Sequence, residues 1–271
     1  MYESYWKLTS KPFPLRNETA RFYRSKSHHA ALLRLKYSID HLSGPNVVLG
    51  MSGTGKSSMV RLLAEQDEAF HPFVQVVFPT LESNELLRIV AQELSGGDDS
   101  GSFGSDGLLK DIQKALHQHT AAGRQPIVCF DDAHLLSEEA IQSVVLPLLN
   151  LSEADARSRV AILLVGQPVL GPHIRRIGSL AERVAVTTAI HGFTSAETTD
   201  YVKSSLHAVG GSGELFTPAA LDRLFEVTAG NPRRIDRLCE MSLLVGYAEQ
   251  LSQITEQQID SVASELMPAA A

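Results

Sequence analysis

The feature that most restricts the fold is a short glycine-rich turn with an apolar run before it and a helical pattern after it. Gly50-Met51-Ser52-Gly53-Thr54-Gly55-Lys56-Ser57 fits the pattern G-x-x-x-x-G-K-[ST]. The chemistry behind that spacing is specific. Glycines let backbone N–H groups turn inward around phosphates, a lysine reaches the β- and γ-phosphates, and a hydroxyl binds Mg²⁺. "NVVLG" reads as a buried strand and "KSSMVRLLAEQ" as a helix, so the turn has the flanks it requires. The helix N-terminus adds partial positive charge where an anion would sit. Gly50, Ser52, Gly53, Thr54, Gly55, Lys56, Ser57 and Ser58 are therefore the candidate nucleotide contacts, with Ser57 also a metal ligand.

The chain around this turn alternates strand and helix patterns. "FVQVVFP", "QPIVCF", "RVAILLVG" and "ERVAVTTAI" read as strands; "SNELLRIVAQEL" and "SEEAIQSVVLPLLNL" read as helices, with Ser83 and Ser137 as N-caps. Upstream, Ala31, Leu32, Leu35, Ile39 and Leu42 make one helical stripe. Such alternation implies a parallel sheet covered on both faces. Residues 95–107 form a polar, glycine-rich loop. After about Phe193 the pattern becomes four amphipathic helical segments. Residues 1–24, rich in aromatics and carrying Pro12 and Pro14, read as an extended arm whose Tyr2, Tyr5, Trp6 and Phe13 either pack beside a nucleotide or, more simply, pack on the core. The expected division is an arm over 1–24, an α/β nucleotide-binding core over 25–192 and a helical domain over 193–271.

The second chemical motif is "IVCFDD", an apolar strand ending in acids. A phosphate-loop enzyme needs such an acid to hold Mg²⁺ and its water shell. Asp131 is the metal-side carboxylate; Asp132 stands where a base for the attacking water could be. Gln167, in "LLVGQP", ends a strand expected beside that of Asp131, and either faces the γ-phosphate or is satisfied in a turn. Arg233, in "GNPRRIDRL", either reaches the nucleotide or belongs, with Arg234 and Arg237, to a solvated basic helix face. Arg183, just before a strand, either contacts a neighbouring subunit's nucleotide or is a surface arginine.

Composition excludes several other classes. No run approaches about 18 apolar residues, so no membrane span is expected. The start has no basic region followed by an apolar one, so no signal peptide is expected. Cys129 and Cys239 lie in apolar contexts and read as buried thiols in a reducing cytoplasm. The ten histidines show no metal spacing. A net charge of −7 argues against coating nucleic acid by bulk charge.

Taken together, "MYESYWKLTSKPFPL", "FYRSKSHHAALLRLKYSI", "GMSGTGKSSMVRLL", "CFDDAHLLS", "LLVGQPVL", "LAERV" and "LFTPAALDRLFEVTAGNPRRIDRLCEMSLL" resemble the AAA+ ATPases of the general secretion pathway A-protein (ExeA-like) family. The resemblance spans nearly the whole chain. It implies a P-loop NTPase (AAA+) three-layer core with a parallel sheet, followed by a small all-α lid. It implies ATP and Mg²⁺ as ligands, Lys56 and Ser57 on phosphate and metal, Asp131 as the Walker B acid, Gln167 as the first sensor, Arg233 as the lid sensor and Arg183 as the leading candidate for an arginine finger in trans. It further implies a nucleotide-dependent homo-oligomer, ring or filament, and a protein partner in secretion or pilus assembly at the membrane.

The family's "DEAQ" is here Asp131-Asp132-Ala133-His134, one methylene short at position 132. A shift of about 1 Å at a reacting group can cost on the order of 10²-fold in rate, so slow hydrolysis is one expectation. Longer members carry a membrane helix and a peptidoglycan-binding domain; these 271 residues contain neither pattern, so a tether is expected from a partner. Three functions follow: a cytoplasmic ATPase that remodels or assembles a partner, a slowly hydrolysing nucleotide switch, and, less favoured, an ATP-gated DNA-binding regulator of the transposition type.

Overall fold

The structure is a computed structural model that describes residues 2–13, 22–41, 44–97 and 104–266. Leu42 of the expected helical stripe, Pro14 of the arm and residues 98–103 of the polar loop lie outside the described residues, and the loop's last residues, from Ser105, are already helical. The chain divides into two compact units, Lys26–Ser52 with Lys56–Ile190, and Met1–Ser25 with Gly53–Gly55 and His191–Ala271.

The first unit is α/β. Helix α1 (Lys26–His41) precedes β1 (Asn46–Gly50) and α2 (Lys56–Glu65); β2 (Phe73–Val76) is followed by α3 (Ser83–Leu94) and α4 (Ser105–Ala121). Next come β3 (Ile127–Phe130), α5 (Glu138–Ala140), α6 (Leu146–Ala154), β4 (Ala161–Gly166), α7 (Leu170–Arg176), α8 (Gly178–Ala181) and β5 (Val186–Ile190). The five strands pair in the order β2-β3-β4-β1-β5, all parallel. Strands β3 and β4 are buried along their whole length. This is the continuous burial expected of a parallel sheet with helices on both faces, and it explains why "IVCF" and "AILLVG" are unbroken apolar runs.

Two local expectations need refining. Ser137 caps its helix as expected, its Oγ accepting from the Ala140 N–H at 3.0 Å. Ser83 does not: the cap is Glu82, in extended backbone, whose N–H donates to the Glu85 carboxylate at 3.4 Å. Ser83 is the first helical residue instead, and its hydroxyl accepts from Ser143 Oγ at 2.7 Å. The single helix expected over "SEEAIQSVVLPLLNL" widens to π geometry over Ile141–Val145. Pro147 follows after Leu146; it has no N–H to offer Ser143, and its ring crowds the turn before it.

The second unit is helical. Helices α9 (Ser195–His207), α10 (Pro218–Thr228), α11 (Pro232–Ala248) and α12 (Glu256–Leu266) are the four segments the periodicity predicts. Thr194, Thr217 and Asn231 cap the first three through side-chain acceptors.

The N-terminal residues correct two expectations. They are not extended: Trp6 N–H donates to Tyr2 O, Leu8 N–H donates to Glu3 O, and Lys7 turns left-handed at φ 55°. Their aromatics belong to the core of the helical unit. Tyr2, Trp6, Leu8 and Phe13 are buried in one cluster with Phe193, Leu206, Ile235, Leu243 and other residues of the helical unit. Trp6 Nε1 donates to Leu243 O at 2.9 Å, Tyr5 Oη to Leu251 O at 2.6 Å, and Tyr2 Oη to Glu240 at 2.6 Å. Each ring thus buries its apolar body while its polar end keeps a partner.

Within the same unit Tyr201 Oη donates to Asp236. Burial holds the Asp236 carboxyl up at about 6 against an ordinary 3.8, the Tyr201 hydrogen bond opposing and nearby Glu240 adding to the rise. A raised pKa means the folded chain keeps this proton when the unfolded chain has lost it. Stability therefore falls as pH rises from about 4 to about 6 and is level above that. Asp236→Asn removes the charge and keeps an acceptor for Tyr201. It should gain on the wild type by on the order of 1–2 kcal/mol between pH 4 and pH 7.5 in denaturant unfolding. An equal difference at both pH values would contradict this.

Candidate nucleotide-binding site

In a parallel sheet every strand delivers its carboxyl end to the same edge. Here β4 lies between β1 and β3, with Leu49 opposite Gly166 and Phe130 opposite Leu164. The glycine-rich turn leaves β1, Asp131 and Asp132 leave β3, and Gln167 leaves β4, so this unit gathers them at one edge.

The turn passes from β1 into α2, whose first residue is Lys56. Gly53 and Gly55 have φ of +82° and +87°, a region that side-chain-bearing residues seldom enter. Lys56 is buried, and its ammonium reaches back to donate to Met51 O at 3.0 Å. The first turn of α2 carries no acid. A helix N-terminus with an ammonium beside it and no carboxylate in its opening turn has the donor chemistry that fits a phosphate. Ser57 and Ser58 follow on the first turn, half-buried.

Asp131 is held at both oxygens. Oδ2 accepts from Gln75 Nε2 at 3.0 Å and Oδ1 accepts from the Asp132 N–H at 3.0 Å. Gln75, on β2, accepts in turn from Arg61 of α2 at 2.8 Å. A chain of polar contacts thus links the helix after the turn to the acid two strands away. Asp132 adopts a left-handed backbone, φ 48° and ψ 36°, which aspartate tolerates better than most residues. Its carboxylate is 58% exposed and lies 3.9 Å from His134 Nδ1, which also accepts from the Gln167 N–H at 3.5 Å. No sequence motif singles out Gln75, Arg61 or His134 for this site. A lone polar residue in the second strand is the one signal for Gln75; His134 shows only as the departure from "DEAQ".

Arg183 is not part of this gathering. It precedes β5 at the amino edge of the sheet, where Ala185 N–H donates to Pro45 O. Its guanidinium donates to Asn150 Oδ1 at 2.7 Å and lies 3.7 Å from Glu153. In the other unit, Arg233 opens α11 as one of its first residues, with Arg234 and Arg237 further along the same helix. The Arg233 N–H donates to Gly53 O at 3.3 Å, Gly53–Gly55 being grouped with that unit. Cys129 and Cys239 are free, fully buried thiols whose pKa burial pushes up. Among the described residues no cluster of His, Cys, Asp and Glu suits a metal ion, and no helix is long and apolar enough to cross a membrane.

Residues 40–172 match the family described as "AAA domain". The α/β unit has a P-loop AAA+ fold. Over 268 residues the chain is 27% identical to the General secretion pathway protein A of Aeromonas hydrophila, covering 98% of this chain and 48% of that protein. It thus spans about half the length of that curated relative. Among solved structures the Aeropyrum pernix ORC1 protein in complex with DNA aligns at TM-score 0.72 and 14% identity, over 96% of this chain and 70% of that one. Cdc6p from Pyrobaculum aerophilum aligns at 0.72 and 16%, over 94% and 72%. The Thermotoga maritima RuvB Holliday junction branch migration motor aligns at 0.58 and 12%, over 95% and 74%. At these identities the likeness is one of fold. The AAA+ fold carries the expectation of nucleotide binding, and the sheet order and glycine turn found here are consistent with it.

The turn leaves no room for change at Gly53. A Cβ there would stand 2.7 Å from Asn231 Oδ1 and 2.9 Å from Arg233 Cβ, on top of the unfavourable φ. Gly53→Ala should cost about 1–3 kcal/mol in thermal unfolding without nucleotide. Gly97→Ala, with open space around it and φ +95°, carries the backbone cost alone and should cost less. Equal losses would show that the contact with Asn231 and Arg233 contributes nothing.

Proposed function

We propose that this chain is a cytoplasmic, Mg²⁺-dependent ATPase that works as a homo-oligomer and drives remodelling or assembly of a protein partner, and the name of its relative points to secretion as the setting. The observation that carries the reading is the convergence of the glycine turn, Asp131 and Gln167 on one edge of the parallel sheet. Lys56 and the first-turn amides of α2 bind the β- and γ-phosphates. Ser57 and Asp131 would hold Mg²⁺, which when bound neutralises charge on those phosphates. Gln75 orients Asp131 for that task. Asp132 takes or steers the proton of the attacking water, and Gln167 hydrogen-bonds the γ-phosphate. Arg233 acts as the lid sensor; its support is the backbone contact to Gly53.

Arg183 serves the nucleotide of the next subunit. Its position at the amino edge of the sheet takes it away from the phosphate turn of its own α/β unit. A finger arginine contributes roughly 10³–10⁵-fold to turnover. Lys56→Ala and Arg183→Ala should each abolish most ATPase activity. Mixing the two inactive chains should restore a fraction of it, because one class of interface then pairs an intact Lys56 with an intact Arg183. No recovery on mixing, or a rate per subunit that stays constant from dilute to concentrated protein, would rule out action in trans.

The slow-switch reading is favoured by one residue. Asp132 is a methylene short of glutamate, and its left-handed backbone re-aims a short side chain. Asp132→Glu decides between the readings. A gain in turnover of about tenfold or more means that the natural residue restrains the chemistry. A loss means that the backbone already puts the shorter carboxylate where it is needed.

A further inference from the structure

Arg61 is a half-buried residue of α2. Its guanidinium donates to Gln75 Oε1 at 2.8 Å, and Gln75 Nε2 donates to Asp131 Oδ2 at 3.0 Å. The strand register explains how the last two meet. Gln75 lies opposite Cys129 where β2 pairs with β3. Side chains alternate between the faces of a sheet, so Asp131 follows Cys129 onto the face that Gln75 shares. Burial pushes the Cys129 thiol up, Asp131 adds to the rise and Arg61 opposes it, so both charges stand near that residue.

The order of these three groups is chemically fixed. An arginine only donates and an ionised carboxylate only accepts, so whatever joins them must accept at one end and donate at the other. A glutamine amide does this in one orientation, oxygen to Arg61 and nitrogen to Asp131. Turned over, it would set a carbonyl against a carboxylate and an amide NH₂ against a guanidinium. Arg61 therefore reinforces the orientation in which Gln75 holds the acid, and its charge strengthens the amide as a donor. Among the described residues each Asp131 oxygen accepts one hydrogen bond, and a carboxylate oxygen has room for two, so both keep acceptor capacity for a cation or its water. The helix that carries Arg61 also opens with Lys56, so one element bears the ammonium for phosphate and the guanidinium behind the metal-side acid.

We propose that Arg61 is a positioning residue for Mg²⁺ binding: acting through Gln75, it fixes the Asp131 carboxylate before the metal arrives. The inference rests on the reading of Asp131 as the metal-side acid and adds to it the group that holds that acid from behind. Removing such a group typically weakens metal binding by roughly 10–100-fold.

The test is ATP binding to the full chain, titrated calorimetrically in EDTA and in graded Mg²⁺. Arg61→Met keeps an apolar stem and removes the donor. It should bind ATP in EDTA as the wild type does, and need about tenfold more Mg²⁺ for the metal to strengthen binding. Arg61→Lys restores a charged donor and should recover part of the loss. Gln75→Leu severs the link, so adding Arg61→Met to it should weaken Mg²⁺ binding no further. Asp131→Asn should remove most of the Mg²⁺ effect. If it does and Arg61→Met leaves the Mg²⁺ requirement unchanged, the proposal fails and the metal assignment stands. If Asp131→Asn itself changes nothing, the metal assignment fails and takes the proposal with it. Additive losses in the double variant would mean that Arg61 does not act through Gln75. A lower Mg²⁺ requirement in Arg61→Met would mean that its charge repels the cation more than its hydrogen bond helps. Loss of binding in EDTA by both Arg61 variants would mean that the residue serves the fold or the nucleotide. Each of these three results would overturn the proposal.

Discussion

The pairing of β4 between β1 and β3 is the constraint on which the candidate site rests. Parallel pairing points all three strands the same way, and the register sets Leu49 against Gly166 and Phe130 against Leu164. Reversal of one strand would send its terminal residue to the far edge. The apolar runs that enforce this pairing, "VVL", "IVCF" and "AILLV", carry no chemistry of their own. They bury the sheet on both faces, and Asp131, Asp132 and Gln167 come just past the ends of β3 and β4. The polar contacts from Arg61 through Gln75 to Asp131 are secondary to this, because the strands must be in register before a glutamine on β2 can reach a carboxylate at the end of β3.

The part of the fold legible in the sequence is the part governed by local rules. The glycine turn, the strand ending in two aspartates and the four helices of the second unit all follow from periodicity and from residues that act on their immediate neighbours. Strand order is not written locally, since which strands pair depends on how helices fill both faces. The Glu82 cap escapes the pattern because serine is the better capping residue in general, whereas here Glu85 reaches back to the Glu82 N–H and sets the start one residue earlier. The N-terminal aromatics mislead for a related reason. Their burial is readable from residue type, but their partners lie about 200 residues away, as with Trp6 and Leu243, and no local pattern names them.

The polar relay behind Asp131 is illegible for a different reason. Gln75 sits at a strand position where a polar residue ordinarily faces solvent, and only the fold turns its amide towards the acid. His134 is similar: a substitution within a familiar motif says that something differs, and the geometry says what. Its ring nitrogen accepts from the Gln167 backbone and lies near the Asp132 carboxylate, so this departure from the motif stands between the ends of two neighbouring strands.

The two edges of the sheet thus hold different chemistry. The carboxyl edge collects an ammonium, helix amides and a carboxylate around a place suited to phosphate. The amino edge carries Arg183, held by Asn150 and Glu153. If Arg183 acts on a neighbour's nucleotide, its present hydrogen bonds to Asn150 and Glu153 must be exchanged for contacts across the subunit boundary. A charge-assisted pair at a half-exposed site contributes little, about 0–1 kcal/mol, so such an exchange is accessible to thermal motion and open to competition.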